Sequence, residues 1–318
     1  MNKAPVLYII VPCYNEEEVL PETSSRLIAF TDALISDNQI DASSRILFVD
    51  DGSKDKTWQL IEGLTARADR VEGLKLAHNA GHQNALWAGM MSVRGKADAV
   101  VTIDADLQDD IEAMRGFLEK YRAGCEVVYG VRSKREKDTA FKRVTAQGFS
   151  RVMQRMGVDM VYNHADYRLL GRRALDALSE FGEENMFLRG MVPLVGFKSA
   201  EVTYERGERF VGESKYPLKK MIAFAIDGIT SFSIKPVRWV TLIGFAFAFL
   251  GAVMALYALI SLISGRVVAG WTSMMISIWV IGGVQLIALG LIGEYVGKVY
   301  KEVKHRPKFI VETYIEKK

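Results

Sequence analysis

The chain is poor in the features that mark secreted scaffolds, nucleic-acid binders and repeat proteins. In 318 residues there are two cysteines, Cys13 and Cys125. One possible pair is not a disulfide framework, so a reducing compartment is the expectation. An excess of charge is also missing. The net charge is +3, which gives no strong field for nucleic acid, and none is expected as a partner. No repeat of solenoid period and no low-complexity tract is present. The N-terminus, MNKAPVLYIIVPCYNEEE, has too short an apolar core for a secretory signal and turns acidic at once. The first part of the chain is therefore expected to fold in the cytoplasm.

The sharpest absence is of any charge over two late stretches. None occurs from Trp239 to Ile263, or from Trp271 to Gly293. Each stretch reaches the roughly 20 residues that span a bilayer as a helix. Between them lies SGRVVAG, with Arg266 alone charged. Lys219, Lys220, Lys235 and Arg238 precede the pair; Lys298, Lys301, Lys304, Arg306 and Lys308 follow it. The positive-inside rule then puts both ends of a two-helix transmembrane hairpin in the cytoplasm.

What is present upstream is alternation. Short apolar segments (6–11, 46–50, 74–77, 99–104 and 126–131) read as strands. Helical patterns (17–34, 57–68, 83–93 and 111–123) fall between them. This predicts an α/β domain with a mostly parallel sheet covered by helices on both faces. Such sheets bind ligands outside the carboxyl ends of their strands. There the unusual polar clusters follow one another: PCYNEEE, DDGSKDKT, HNAGHQNA and DADLQDD. Each could be loops and helix caps, with Asp51, Ser53 or Asp55 capping the helix near Thr57 and Asp109 or Asp110 the next. Four on one edge point to a site.

Asp104 and Asp106 are one residue apart. On an extended segment their side chains point the same way, and converging carboxylates need a counter-charge. A hard divalent cation, Mg²⁺ or Mn²⁺, supplies one and shares its oxygen ligands with substrate phosphates. Gln108 offers an amide oxygen on the same side. The cluster reads as a metal clamp for a nucleotide diphosphate.

VPCYNEE, VDDGSKDKT, NAGHQNALWAG and DADLQDD, in this order and spacing, resemble the GT-A, Rossmann-like nucleotide-sugar transferases of glycosyltransferase family 2. The DADLQ form with a C-terminal two-helix hairpin resembles the polyprenyl-phosphate group, which includes bactoprenol glucosyltransferases and dolichol-phosphate mannose synthases. The resemblance covers essentially the whole chain. It implies that Pro12, Tyr14, Glu16, Asp50, Asp51, Asn79, Asp104, Ala105 and Asp106 bind the nucleotide sugar. It implies Asp104, Asp106 and Gln108 as metal ligands. Arg132, in a Gly-x-Arg strand, and Arg206, Arg209, Ser214 and Lys215, in ERGERFVGESKYPLKK, are implied contacts to the diphosphate or lipid phosphate. Asp166, in NHADYRLLG, is implied as a catalytic base or acceptor-side residue, with a structural pair to Arg168 as the alternative. The Gln-x-x-Arg-Trp and Thr-Glu-Asp motifs of processive members are absent; MFLRGMV and His164-Ala165-Asp166 stand in their places.

The resemblance and the apolar stretches together set the expected domains. Residues 1–216 form the catalytic domain, and 217–235 an amphipathic interfacial region. Residues 236–297 hold the transmembrane pair, and 298–318 a basic tail able to pair as a strand, between subunits in a homo-oligomer. The expected activity is inverting transfer of one sugar from UDP-glucose or UDP-N-acetylglucosamine to undecaprenyl phosphate on the cytoplasmic face of the membrane. The alternatives are transfer to another lipid acceptor, or a membrane-anchored subunit that binds nucleotide sugar without turnover.

Overall fold

The computed structural model describes residues 4–133, 164–183, 186–205, 207, 235–264 and 270–317. These residues fall into two compact units: the residues up to 207 together with the tail from Arg306, and the two long helices with the turn to His305.

The first unit is built on an eight-stranded sheet. Its elements run β1 (Leu7–Cys13), α1 (Leu20–Ser36), β2 (Arg45–Asp50), α2 (Thr57–Arg67), β3 (Val71–Leu76), α3 (His82–Val93), β4 (Ala99–Thr102), α4 (Ala113–Arg122) and β5 (Val127–Arg132). They continue with β6 (His164–Gly171), α5 (Arg172–Ser179), α6 (Leu188–Leu194), β7 (Ser199–Tyr204) and, after the long helices, β8 (Val311–Ile315). The strand order is β7-β5-β6-β4-β1-β2-β3-β8.

β4, β1, β2 and β3 pair in parallel, each to the next. Their residues are almost wholly buried, as continuous apolar runs in a doubly covered sheet should be. The α/β, mostly parallel expectation is met. Departures from it lie toward the two edges. β6 is antiparallel to both β4 and β5, β7 is parallel to β5, and β8 is antiparallel to β3. The tail strand thus pairs with this chain's own β3.

β4 is two residues shorter than expected, and this opens the cleft. Its pairing with β1 stops at Ile10 opposite Thr102, while β1 runs on beside β2 to Cys13 opposite Asp50. Beyond Ile10, β1 has lost the neighbour on its β4 side. That makes Pro12 tolerable inside a central strand, because its missing N–H costs least where one flank is unpaired.

In the second unit, α7 (Lys235–Ile263) and α8 (Trp271–Val303) are 29 and 33 residues long. Large apolar side chains, among them Leu242, Phe245, Phe249, Ile278 and Leu286, are exposed on them. Among the described residues one stretch, Val280–Val303, is long and apolar enough to cross a membrane. The link between the helices and the expected interfacial region before Lys235 lie outside the described residues.

Candidate active site

The site is assembled from the loops at the carboxyl ends of β1 to β4, closed on one side by β6 and α6. The loops after β1 and β2 lock together through backbone and side chain. The Asn15 amide donates to Ser53 Oγ (3.0 Å) and the Lys54 amide to Asn15 Oδ1 (2.9 Å). The Glu16 amide donates to Thr57 Oγ1 (2.8 Å) and the Glu17 amide to Asp55 Oδ2 (3.1 Å). Asp55 Oδ1 also accepts from the Thr57 amide (3.0 Å), so it does serve the start of α2. Tyr14 is left 42% exposed at the mouth, whereas Pro12 is buried.

Asp50 and Asp51 lie beneath these loops, both buried, and burial pushes both carboxyls up. The Ser53 amide donates to Asp50 Oδ1 (3.3 Å). Asp51 is held by the loop after β3: the Ala80 and Gly81 amides donate to its two oxygens at 2.7 and 3.0 Å, and Asn79 Nδ2 donates to its carbonyl at 3.2 Å. Gly52, at φ +67°, lets the two loops touch. A Cβ there would stand 2.7 Å from the Asn79 amide nitrogen.

The DADLQDD segment leaves the sheet after Thr102 and turns. Asp104 and Asp106 therefore do not sit on an extended strand, as alternation alone suggests. The turn is closed by the Gln108 amide donating to Asp106 Oδ1 (3.2 Å), with Leu107 in the left-handed region at φ +54°. A branched side chain held there is strained backbone, of the kind that marks functional loops. Ala105 is core: its side chain is buried and its carbonyl accepts from Thr23 Oγ1 (2.7 Å). Enclosure pushes the Asp104 carboxyl up to about 6; the charges of Asp166, Asp109 and Asp106 add to the rise, and His82 opposes it.

Asp109, two residues past the motif's Leu107, is buried and accepts from Tyr204 Oη (2.5 Å) and Arg132 Nη2 (3.2 Å). Arg132 Nε also reaches Tyr204 Oη (3.3 Å). Arg132 is thus engaged in a partly buried knot at the end of β5, behind the aspartate motif. Gln108 is tied in as well, its carbonyl accepting from the Gly207 amide (2.8 Å). That bond brings the start of the basic ERGER loop against the DADLQ turn. Arg206, Arg209, Ser214 and Lys215 themselves lie outside the described residues.

Asp166 on β6 is the centre of the opposite wall. It is 6% exposed and pairs with Arg168, itself 2% exposed. Arg189 of α6 reaches both its oxygens (3.2 and 3.0 Å), and Gln83 Nε2 donates to Oδ2 (3.2 Å). His82 Nε2 stands 3.6 Å from Asp166 Oδ2 and 3.6 Å from Asp104 Oδ1, bridging the two carboxylates. Burial works to raise Asp166, but His82, Arg189 and Arg168 outweigh it and hold the carboxyl well below its ordinary range. Burial likewise works to lower His82, and the two aspartates hold it above its usual value. The Asp–Arg pairing set out as the alternative is therefore present, and two cations and an amide already occupy Asp166.

His82, Gln83, Arg189 and Tyr204 were not among the residues singled out from the sequence, and Asp109 was read there only as a helix cap. His82 and Gln83 stood in the HNAGHQNA cluster and Arg189 in MFLRGMV; nothing local ties them to Asp166, about which they meet only in three dimensions.

The donor set fits a hard cation. It is all oxygen from two carboxylates and an amide, in a pocket where burial, with the neighbouring carboxylates adding to it, already forces Asp104 up. Among the described residues no three His, Cys, Asp or Glu side chains converge as a self-sufficient metal cage. A pair of protein carboxylates completed by substrate oxygens is the arrangement that remains.

An α/β sheet with its polar loops gathered at the carboxyl ends of the parallel strands has its ligand site there. The sequence comparisons place it more narrowly. Residues 8–179 match the model of glycosyl transferase family 2, and the chain belongs to that family. The uncharacterized glycosyltransferase YkoT of Bacillus subtilis is 55% identical over 308 residues, covering 97% of this chain and 91% of that protein. The bactoprenol glucosyl transferase of Shigella phage SfV is 36% identical over 311 residues, covering 97% of this chain and 99% of that one. Among solved structures, the glucosyl-3-phosphoglycerate synthase of Mycobacterium tuberculosis is similar at 16% identity and a TM-score of 0.48, over 71% of this chain and 76% of that chain.

Proposed function

We propose that this chain transfers a single sugar, with inversion, from a nucleoside diphosphate sugar to undecaprenyl phosphate at the cytoplasmic face of a membrane. The donor under this reading is UDP-glucose or UDP-N-acetylglucosamine. The observation that carries it is the acidic turn: Asp104 and Asp106 past the end of β4, with burial first, and the neighbouring carboxylates after it, pushing Asp104 up to about 6. A pocket that strains against its own negative charge is prepared for a cation and the diphosphate that comes with it.

The similarity to a bactoprenol glucosyl transferase along nearly the full length of both chains supports the lipid acceptor. The exposed apolar residues of α7 and α8 support a membrane anchor. The Lys and Arg flanking them support a hairpin with both termini in the cytoplasm, and a membrane-bound acceptor calls for a site at headgroup level. Residues 1–216 are then the catalytic domain, 217–235 the interfacial segment and 236–297 the anchor.

Each residue then has a task. Asp104, Asp106 and Gln108 hold Mg²⁺ or Mn²⁺, which when bound offsets the charge left on the departing diphosphate. Pro12, Tyr14, Glu16, Asp50, Asp51 and Asn79 form the nucleoside wall. Arg206, Arg209, Ser214 and Lys215 receive phosphate oxygens. Asp166 holds Arg189 and His82 in place toward the reacting phosphates; it does not serve as a base, because a phosphate monoester is already anionic when it attacks.

The test is turnover in detergent with short-chain polyprenyl phosphate, a divalent cation and a panel of nucleotide sugars, reading released diphosphate and glycolipid mass. Acceptor-dependent turnover with one donor, lost in Asp106→Asn, is expected. Donor binding without acceptor-dependent turnover would shift the acceptor or leave a binding subunit. No binding of any nucleotide sugar would overturn the reading.

A further inference from the structure

The C-terminal tail does more than cover a sheet edge. β8 pairs with β3 in the register Leu76–Val311, Lys75–Thr313, Leu74–Tyr314 and Gly73–Ile315, with an irregularity between Lys75 and Leu76. Past the end of β3 the Ala77 amide still donates to the Ile310 carbonyl (2.9 Å). The next four residues, 78–81, are the loop whose amides grip Asp51. The tail therefore holds the backbone immediately before the donor loop, while Gly52 and Asp51 hold the loop itself.

Two further contacts brace the elements that flank this loop. Lys308 Nζ lies 5.1 Å from the ring centre of Trp87 on α3, the helix that begins at His82. Lys96, after α3, pairs with Glu316 (2.8 Å) and reaches Tyr314 Oη (3.2 Å). The docking has a buried polar anchor as well. Glu72 of β3 is fully buried, and Tyr314 Oη donates to its Oε2 at 2.8 Å, with Tyr8 Oη at 3.4 Å from Oε1. A buried carboxylate with few donors fixes the register of the strand that satisfies it. In sequence, six residues separate Val303, the last of α8, from Ile310.

We infer that the tail, through Ile310 and Tyr314, is a positioning element of the donor site, setting loop 78–81 for the nucleotide. This rests on the proposed function for the identity of the ligand, but not for the mechanical claim.

The mechanical claim is read without ligand, by hydrogen exchange at the Ala80 and Gly81 amides in the full-length protein. Tyr314→Phe is expected to speed their exchange about tenfold while the amides of β1 and β2 keep their protection. Deletion of residues 306–318 is expected to abolish that protection, and a synthetic peptide of the same sequence to restore it. The ligand claim is read by titrating UDP with Mn²⁺: Kd should rise at least tenfold in the deletion variant and fall again with the peptide. Unchanged exchange at Ala80 and Gly81 in Tyr314→Phe overturns the inference, whether or not the deletion variant folds. Faster exchange with an unchanged Kd for UDP overturns the donor-site role. A wild type that binds neither UDP nor GDP overturns the proposed function and leaves the exchange result standing on its own.

Discussion

Replacing Asp166 by Asn separates a structural carboxylate from a catalytic one. The substitution keeps the shape and removes the charge. What it strands is Arg168, 2% exposed, which also donates to the Leu188 carbonyl at 3.2 Å. Breaking one side of a buried pair costs about 3–5 kcal/mol, since the remaining charge stays desolvated. Arg189 is a third exposed and recovers some hydration, so the lower half of that range is the better figure. For a domain of this size 1 kcal/mol moves the midpoint by about 2–4 °C, which gives a fall of about 6–16 °C. Thermal unfolding of wild type and Asp166→Asn in the same detergent measures it.

The pH dependence has a definite sign. Asp166 is held below its unfolded value of about 3.9. Its stabilisation is therefore complete above that value and is lost as pH falls through the lower, folded one. Asp166's own part of the gap between the two proteins should close only in strong acid. The part that runs through His82, which Asp166 helps hold above its usual value, should be full below about 6.5 and fade as pH rises through the raised folded value. A variant that melts within about 2 °C of wild type yet has lost turnover would refute this reasoning and return Asp166 to the role of base.

Three other outcomes follow from the same geometry. Gly52→Ala puts a side chain at φ +67° and 2.7 Å from the Asn79 nitrogen; it should cost about 1–3 kcal/mol and raise the donor KM more than it lowers kcat. Tyr204→Phe removes a donor from buried Asp109 and should destabilise by about 1–3 kcal/mol in chemical denaturation, with Mn²⁺ affinity less affected. With Asp104 raised to about 6, protons and metal compete for it, so titration of the metal should show Kd for Mn²⁺ rising up to about tenfold per pH unit below that point and flat above it.

Much of the sheet was legible because its parallel strands are buried on both faces. Val11, Leu47, Phe48, Val49, Val100 and Val101 are apolar for a reason that shows in any short window. The polar loops after those strands were legible by contrast. β7 was harder: SAEVTY alternates exposed and half-buried residues at the sheet's edge and carries Glu201. β6 was found as a motif rather than as a strand, since nothing in HADYRLLG announces that it runs against its neighbours. The Asp104–Asp106 turn was read as extended because local spacing says nothing of where a strand's partner stops. The knot around Asp166 draws on residues 82, 83, 168 and 189, and a sequence read locally has no way to bring those together.

The place of β8 in the chain has a consequence for biosynthesis. A ribosome delivers β3 early and its edge partner much later, after both long apolar helices have been made. Until then the β3 edge is open and Glu72 lacks Tyr314. An open edge is a template for the wrong strand, and here its correct partner arrives only after both long helices have been made. The nascent domain must therefore wait through the making of its own helices in a form that can collapse but cannot finish. A nascent chain stalled before codon 311 should leave that edge susceptible to protease, and release of the completed chain should close it.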